Sequence, residues 1–346
     1  MALEAAVVRV GPSMNAQDAA NTAWSFATLG LMPGVELRAV LEAAVVRVGP
    51  DMVPQAVANT AWSFATLGLM SGAEARAALE GAVVRVGPGM TAQNVANTAW
   101  SFATLGLMLG GEGRAALEAA VVRTSPSMDP QALSNVLWSF LTLAATQGLP
   151  LPACYPSLWR AVCGLDVGSL EEVRLVMLFH AHLIHSELVS GGVRDEVTFP
   201  PWIMHEARGA WMRDIRDDVT ASRSHKEIAA IIGDLGVRYD VERLSDDGNF
   251  SVDIYLPDAN VALEFDGPTH FINTSDGGDW AAPGDASRTS TRKPSTVLRD
   301  MFLRRRYRTV LCVPWFEWHV LRGSAEKKAY VSAKLKAVGV SVPAST

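Results

Sequence analysis

Tryptophan recurs at positions 24, 62, 100 and 138, a constant spacing of 38 residues. Around it "NTAWSFATLGLM" occurs three times, and "SNVLWSFLTLA" is a diverged fourth copy. Between these blocks lie "LRAVLEAAVVRVGP", "ARAALEGAVVRVGP" and "GRAALEAAVVRTSP". No single unit of this size can bury its apolar face alone, so the units must stack, and a solenoid is the expected result.

Each unit reads as two helices. Helix A, about Asn15 to Leu29, gathers Ala19, Ala20, Ala23, Trp24, Phe26 and Ala27 on one face, which makes the tryptophans core residues. Its other face carries Gln17, Asp18, Asn21, Ser25 and Thr28, polar and mostly uncharged. A Pro-Gly or Ser-Gly pair breaks the chain, and helix B, about Val35 to Val48, ends at Gly-Pro. Met1 aligns with Val40 inside helix B, so Met1 to Gly11 reads as half a repeat. The expectation is a shortened start, with any targeting information upstream of it.

Of the 346 residues 49% are hydrophobic, and mean hydropathy is +0.15, enough for a large core in two or three domains. No apolar run reaches membrane-spanning length, which argues against membrane insertion. Three cysteines, without a CxxC pair, argue for a reducing compartment and against a disulfide framework or zinc ribbon. The net charge of −6 is unevenly spread. Residues 225 to 287 hold three Lys/Arg against thirteen Asp/Glu, whereas from Arg288 onward thirteen Lys/Arg face three Asp/Glu. Such asymmetry is either a local footprint for a polyanion or a solvated basic face.

The unit "N-x-x-W-x-x-A-x-L", with Asn21, Trp24, Ala27 and Leu29 in the first copy, resembles the octotricopeptide repeats of algal and plant organelle RNA-binding proteins. That resemblance implies base recognition by face residues of each repeat. Asn21, Asn59, Asn97 and Asn135 are constant, while three residues earlier stand Asp18, Ala56, Asn94 and Ala132. RNA readers built from repeats vary a few such positions to choose a base each; plain solvent exposure with drift gives the same pattern. Residues 1 to 150 carry seven Arg, no Lys and ten acids, so phosphates would have to be held elsewhere.

Residues 149–224 lose the period and read as a helical adaptor, with one helix opened by a Ser cap at "SLEEVRLVMLFHAHLIHSEL". Its His180, His182 and His185 lack a cysteine or carboxylate to complete a metal shell. From 225 to 340 the pattern changes. "SRSHKEIAAIIGDLG" is a helix, "SVDIYLP" and "NVALEF" are strands, "STVLRDMFLRRRY" is a helix, "RTVLCVPW" a third strand and "SAEKKAYVSAKLKAV" a closing helix. This is an α/β module independent of the solenoid.

"VDIYLP", "ALEFDGPTHF" and "LRDMFLRRRYRTVLCVPWFEW" together resemble the RAP domain, an RNA-binding domain of apicomplexan, algal and plant organelle proteins, over a core of 250–322. RAP domains are in turn similar to restriction-endonuclease-like folds. The fold class implied is an α-solenoid of 38-residue helix-turn-helix repeats followed by an α/β restriction-endonuclease-like (RAP) domain. By that resemblance Asp253, Glu264 and Asp266 are the catalytic candidates, Asp253 and Glu264 could share Mg²⁺, and Glu227 is a further acid. Asp266 stands where the nucleases have lysine, a charge that only Arg299 or His270 could replace. Alternatively Glu264 pairs with an arginine of helix 295–307 and Asp266 caps the Gly267-Pro268 turn.

Arg299, Arg304, Arg305, Arg306, Arg308, His270 and Trp315 are the RNA-binding candidates of this module, as charges and stacking planes. Asp18, Asn21, Asn59, Asn94 and Asn97 are those of the repeats. The implied protein binds single-stranded organelle transcripts in a mitochondrion or chloroplast, alongside other RNA-processing proteins, in transcript stabilisation, processing or translation. A metal-dependent endoribonuclease guided by its repeats, and a protein-interaction scaffold, are the alternatives.

Overall fold

The computed structural model describes residues 2–70, 72–107, 109–189, 197–217, 222–274 and 291–343. The repeats form α1 (Ala2–Val10), α2 (Ala16–Thr28), α3 (Val35–Val48), α4 (Pro54–Thr66), the short strand β1 (Leu69–Met70), α5 (Ala73–Val86), α6 (Ala92–Leu105), α7 (Gly111–Thr124) and α8 (Pro130–Gln147). The helix A series α2, α4, α6 and α8 stacks side by side, and the helix B series α1, α3, α5 and α7 makes a second, looser layer. Alanines allow the closer approach: Ala58, Ala61 and Ala65 of α4, and Ala96, Ala99 and Ala103 of α6, are buried.

Two polar ladders run along the stack. A helix pair that turns through a 3₁₀ segment leaves carbonyls without intrahelical partners. Arg47 Nη2 donates to the Gly11 and Met14 carbonyls at 3.2 and 2.8 Å. Arg85 does the same to Gly49 and Met52, and Arg123 to Gly87 and Met90. Glu4, Glu42 and Glu80 accept from the backbone N–H groups of Gly34, Gly72 and Gly110, each at the start of the next helix B. The recurring Arg and Glu of "LE-x-x-V-V-R" are therefore the fastening between repeats.

The tryptophans depart from the expected core role. Trp24 is 45% exposed, Trp62 and Trp100 are half-buried, and only Trp138 is buried, under His180. Alanine and phenylalanine fill the space between neighbouring helices A, which leaves the indoles at the edge of each contact.

The adaptor follows as α9 (Tyr155–Cys163), α10 (Glu172–Leu183) and α11 (Glu206–Asp217). Ser169 does not cap α10; it lies in a separate 3₁₀ turn that Asp166 opens. The histidines of α10 and the turn after it go to aromatic neighbours: His180 accepts from Trp138 Nε1, and His185 bonds the Tyr155 hydroxyl at 2.7 Å. Burial pushes His180 and His182 down to about 4.

The C-terminal module comprises α12 (Arg223–Asp234), β2 (Asp240–Leu244), β3 (Ser251–Leu256), β4 (Val261–Asp266), β5 (Asn273–Thr274), α13 (Pro294–Arg306), β6 (Thr309–Pro314), α14 (Trp315–His319) and α15 (Gly323–Ala337). Its four-stranded sheet has the order β2-β3-β4-β6, antiparallel except for the β4–β6 pair. The edge strand β2 escapes a reading of the sequence because "DVERL" shows no apolar alternation.

This module is not independent of the solenoid. Ile254, Leu263 and Leu311 form one core with α12 and α15, whereas Phe250, Val252, Leu298 and Phe302 continue the core of the helical region. β1, from the second repeat, pairs in parallel with β5. Gly106 ends α6 at a φ of +64°, and a Cβ there would come within 3.1 Å of Pro294.

Replacing Arg85 by Met leaves the Met52 carbonyl without its donor and the Gly49 carbonyl with the Met52 N–H alone. The unfolding free energy in urea is expected to fall by about 2 kcal/mol. Arg305→Ala, at an exposed position, should stay within about 0.5 kcal/mol of the parent protein. An Arg85→Met protein as stable as the parent would remove the ladder from the account of this fold.

Candidate nucleic-acid interface

The variable positions of the repeats turn out to serve the backbone. Asp18 and Asn94 each close a capping box: Asp18 accepts from Asn15 N–H and Asn94 from Thr91 N–H, while Asn15 and Thr91 accept in return. They hold the first turns of α2 and α6, so capping alone accounts for a polar residue at these two positions. Ala56 and Ala132 at the equivalent places are buried.

One residue earlier stands a position that the sequence reading passed over. Gln17, Gln55, Gln93 and Gln131 share the 38-residue spacing, and all four are exposed. One turn on stand Asn21, exposed, Asn59 and Asn97, half-buried, and Asn135, buried. Gln17, Asn21, Gln55 and Asn59 line a groove of about 760 Å³ across the ends of α2 and α4. Arg47 also borders it, but its guanidinium is held by the Gly11 and Met14 carbonyls. An amide side chain both donates and accepts, which suits the edges of unpaired bases.

In the C-terminal module, β3 and β4 bring Asp253 and Glu264 side by side. Glu264 is buried; it accepts from Arg299 Nε at 2.7 Å and from Asp253 N–H at 3.3 Å. Arg299 also donates to the Ser251 carbonyl, and Asp253 accepts from Phe265 N–H at 2.7 Å. Asp266 does not cap the following turn: it pairs with Arg292 at 2.7 Å and meets His270 at 3.4 Å. Arg292 bridges on to Asp300. Burial pushes Glu264 up to about 7 against the pull of Arg299, and Asp266 up to about 6 against that of Arg292. His270 is held below its usual value by burial and then by Arg299, and so stays neutral near pH 7.

The arginines divide sharply. Arg306 is bound to Glu187 of the adaptor and Asp247, so it joins two parts of the chain. Arg308 donates to the Ala259 and Val338 carbonyls. Arg299 is committed to Glu264 and Arg306 to two acids, so neither is the open phosphate contact that the sequence suggested, whereas Arg308 stays exposed. Arg304 and Arg305 face solvent, Arg304 with Asp300 at 4.0 Å. Trp315 is half-buried against Phe316 and His319, and Trp318 is core, with Lys327 over its ring. Glu227 lies away from these acids and pairs with Lys327.

Residues 263–334, from β4 into α15, match the RAP domain family. The C-terminal module is a RAP domain. Such domains are associated with RNA binding. No curated protein matches the chain. No helix among the described residues is long and apolar enough to cross a membrane.

The Asp253–Glu264 pair of this RAP domain does not fit Mg²⁺. Both Glu264 oxygens are engaged, and the Arg299 cation occupies the position from which an ion would neutralise it. The positive charge that a lysine at position 266 would bring is supplied by Arg292, which Asp266 shares with Asp300.

The raised carboxyls give a pH dependence of defined sign. Between the ordinary value of 4.5 and about 7, folded Glu264 holds a proton that the unfolded chain has released. Its stabilising contribution is complete below pH 4.5 and is lost as pH rises through 7; Asp266 adds a similar loss between 3.8 and about 6. Unfolding free energy, measured in urea from pH 4.5 to 7.5, is expected to decline. Glu264→Gln, which cannot titrate, should decline less steeply. A decline as steep as the parent's would show that Glu264 carries an ordinary charge.

Proposed function

We propose that this protein binds single-stranded RNA and acts on organelle transcripts, in a mitochondrion or chloroplast, by stabilising them or assisting their processing or translation. The observation that carries the reading is the exposed glutamine ladder, Gln17, Gln55, Gln93 and Gln131, one per repeat. Arg47, Arg85 and Arg123 are bonded to carbonyls of the neighbouring repeat, and in the groove the amides of Gln17, Asn21, Gln55 and Asn59 outnumber Arg47 and Asp51. The groove suits base edges more than phosphates. Charge for the backbone comes from the RAP domain, where Arg304 and Arg305 point outward. The RAP match supports the RNA assignment, and the likeness of the repeats to organelle RNA readers supports the compartment.

Anisotropy titrations with labelled single-stranded RNAs separate the two contributions. Replacing the four glutamines by alanine is expected to lower affinity for the preferred RNA at least tenfold and to level differences between RNAs. The salt slope should stay the same. Arg304→Ala with Arg305→Ala should reduce the salt slope by about 1.4, from two lost phosphate contacts, while sequence preference remains. Unchanged RNA preference in the glutamine variant would dismiss the ladder as the reading face. Absence of RNA binding at low salt would dismiss the function, and leave a protein-interaction role for the groove.

A further inference from the structure

The two acids bonded to arginines, Glu264 and Asp266, contrast with a second pair that no arginine bonds directly, Arg299 acting on both only through space. Glu242 of β2 and Asp253 of β3 stand opposite each other in the antiparallel ladder, and His225 of α12 reaches both. Among the described residues no Lys or Arg nitrogen pairs with Glu242 or Asp253; the one ion-pair partner of Glu242 is His225, at 3.1 Å. We propose that His225, Glu242 and Asp253 form a binding site for a first-row divalent transition-metal ion, of the Mn²⁺ or Zn²⁺ class.

The geometry is that of a ligand set. One donor atom from each residue lies within 4.8 Å of the other two. Donors sharing an ion at about 2.0–2.2 Å stand roughly 3–4.4 Å apart, so only a small closure is required. His225 is 4% exposed, and its Nε2 has no hydrogen-bond partner among the described residues. Its Nδ1 faces Glu242 at 3.1 Å, and that is the side from which the ring would hold the ion. The three residues come from a helix and two strands, rigid supports for a preorganised shell. Glu242 holds its place at a φ of +49°, a conformation that a side-chain-bearing residue seldom adopts in a strand.

Two further features define the ion. One imidazole and two carboxylates suit manganese or zinc, whereas Mg²⁺ and Ca²⁺ prefer oxygen alone. Glu242 and Asp253 also border a cavity of about 260 Å³ between the adaptor and the RAP sheet, with Trp211, His180, Ser251 and Arg299 in its wall. Three protein ligands leave coordination positions open, and that cavity gives water or an anion access to them. The site shares Asp253 with the pair suggested by sequence but replaces Glu264, which belongs to Arg299.

Binding of the metal alone tests this without RNA, so it stands or falls apart from the RNA reading. The full-length protein, stripped with a chelator and dialysed, is titrated with MnCl₂, and free Mn²⁺ is read by electron paramagnetic resonance. One ion per chain is expected, displaced by ZnCl₂ but not by a tenfold excess of MgCl₂. Glu242→Gln, which keeps the side-chain shape, and His225→Ala should each weaken binding at least tenfold. Glu227→Gln, on the same helix but paired with Lys327, should bind like the parent. Pulsed resonance on the bound ion of the parent protein should show an imidazole nitrogen coupling, a readout independent of whether a variant folds. No bound Mn²⁺, no nitrogen coupling, or parental affinity in Glu242→Gln would each overturn the assignment.

Discussion

Each repeat hands the unpaired groups of its own backbone to the next one. Arg47, Arg85 and Arg123 take two carbonyls from the preceding turn, and Glu4, Glu42 and Glu80 take an N–H from the start of the following helix B. These bonds are directional, whereas the apolar contacts between alanine-rich helices are not. The ladders therefore set the rotation and offset of one repeat upon the next, and so decide which side chains form a continuous outer face. They also engage three of the seven arginines of residues 1–150 with backbone carbonyls. The groove that carries Gln17 and Gln55 is bordered by one arginine held in this way, Arg47, and by Asp51.

The RAP domain is fastened to this stack by a different device. One face of its sheet closes on α12 and α15, and the other continues the helical core through Phe250, Val252 and Phe302. Arg306 adds a charged tie to Glu187, and β1 pairs with β5. A packed interface with ion pairs at its edge holds two parts in fixed relation, which a flexible linker cannot do. The outer face of the repeats is thereby kept at a set distance from Arg304 and Arg305.

Within the RAP sheet, two pairs of acids meet opposite fates. Glu264 and Asp266 are neutralised by arginines from α13 and the segment before it, and burial raises both carboxyls. Glu242 on the edge strand pairs with a histidine instead, with Asp253 beside it and Arg299 acting on both only through space. An arginine fills the place of an ion with a permanent cation, while an imidazole can share the ion as a ligand. That difference moves any chemistry in this module toward the edge of the sheet.

The sequence by itself determined the repeat architecture, since a 38-residue period of apolar and breaker residues admits no other packing. It also determined the strand–turn blocks of the RAP domain, where alternation and turn residues agree. It could not say which arginines remain open. Arg299 finds Glu264 across 35 residues and Arg306 finds Glu187 across 119, separations at which no local pattern carries information. Nor could it show β2: a polar edge strand lacks the alternation that betrays a buried one, and Glu242 was hidden with it. Asp18 and Asn94 looked like variable readers, because a capping residue and an exposed ligand residue are both polar and both vary. Only the fold separates them, since it alone shows which groups have already met their partners.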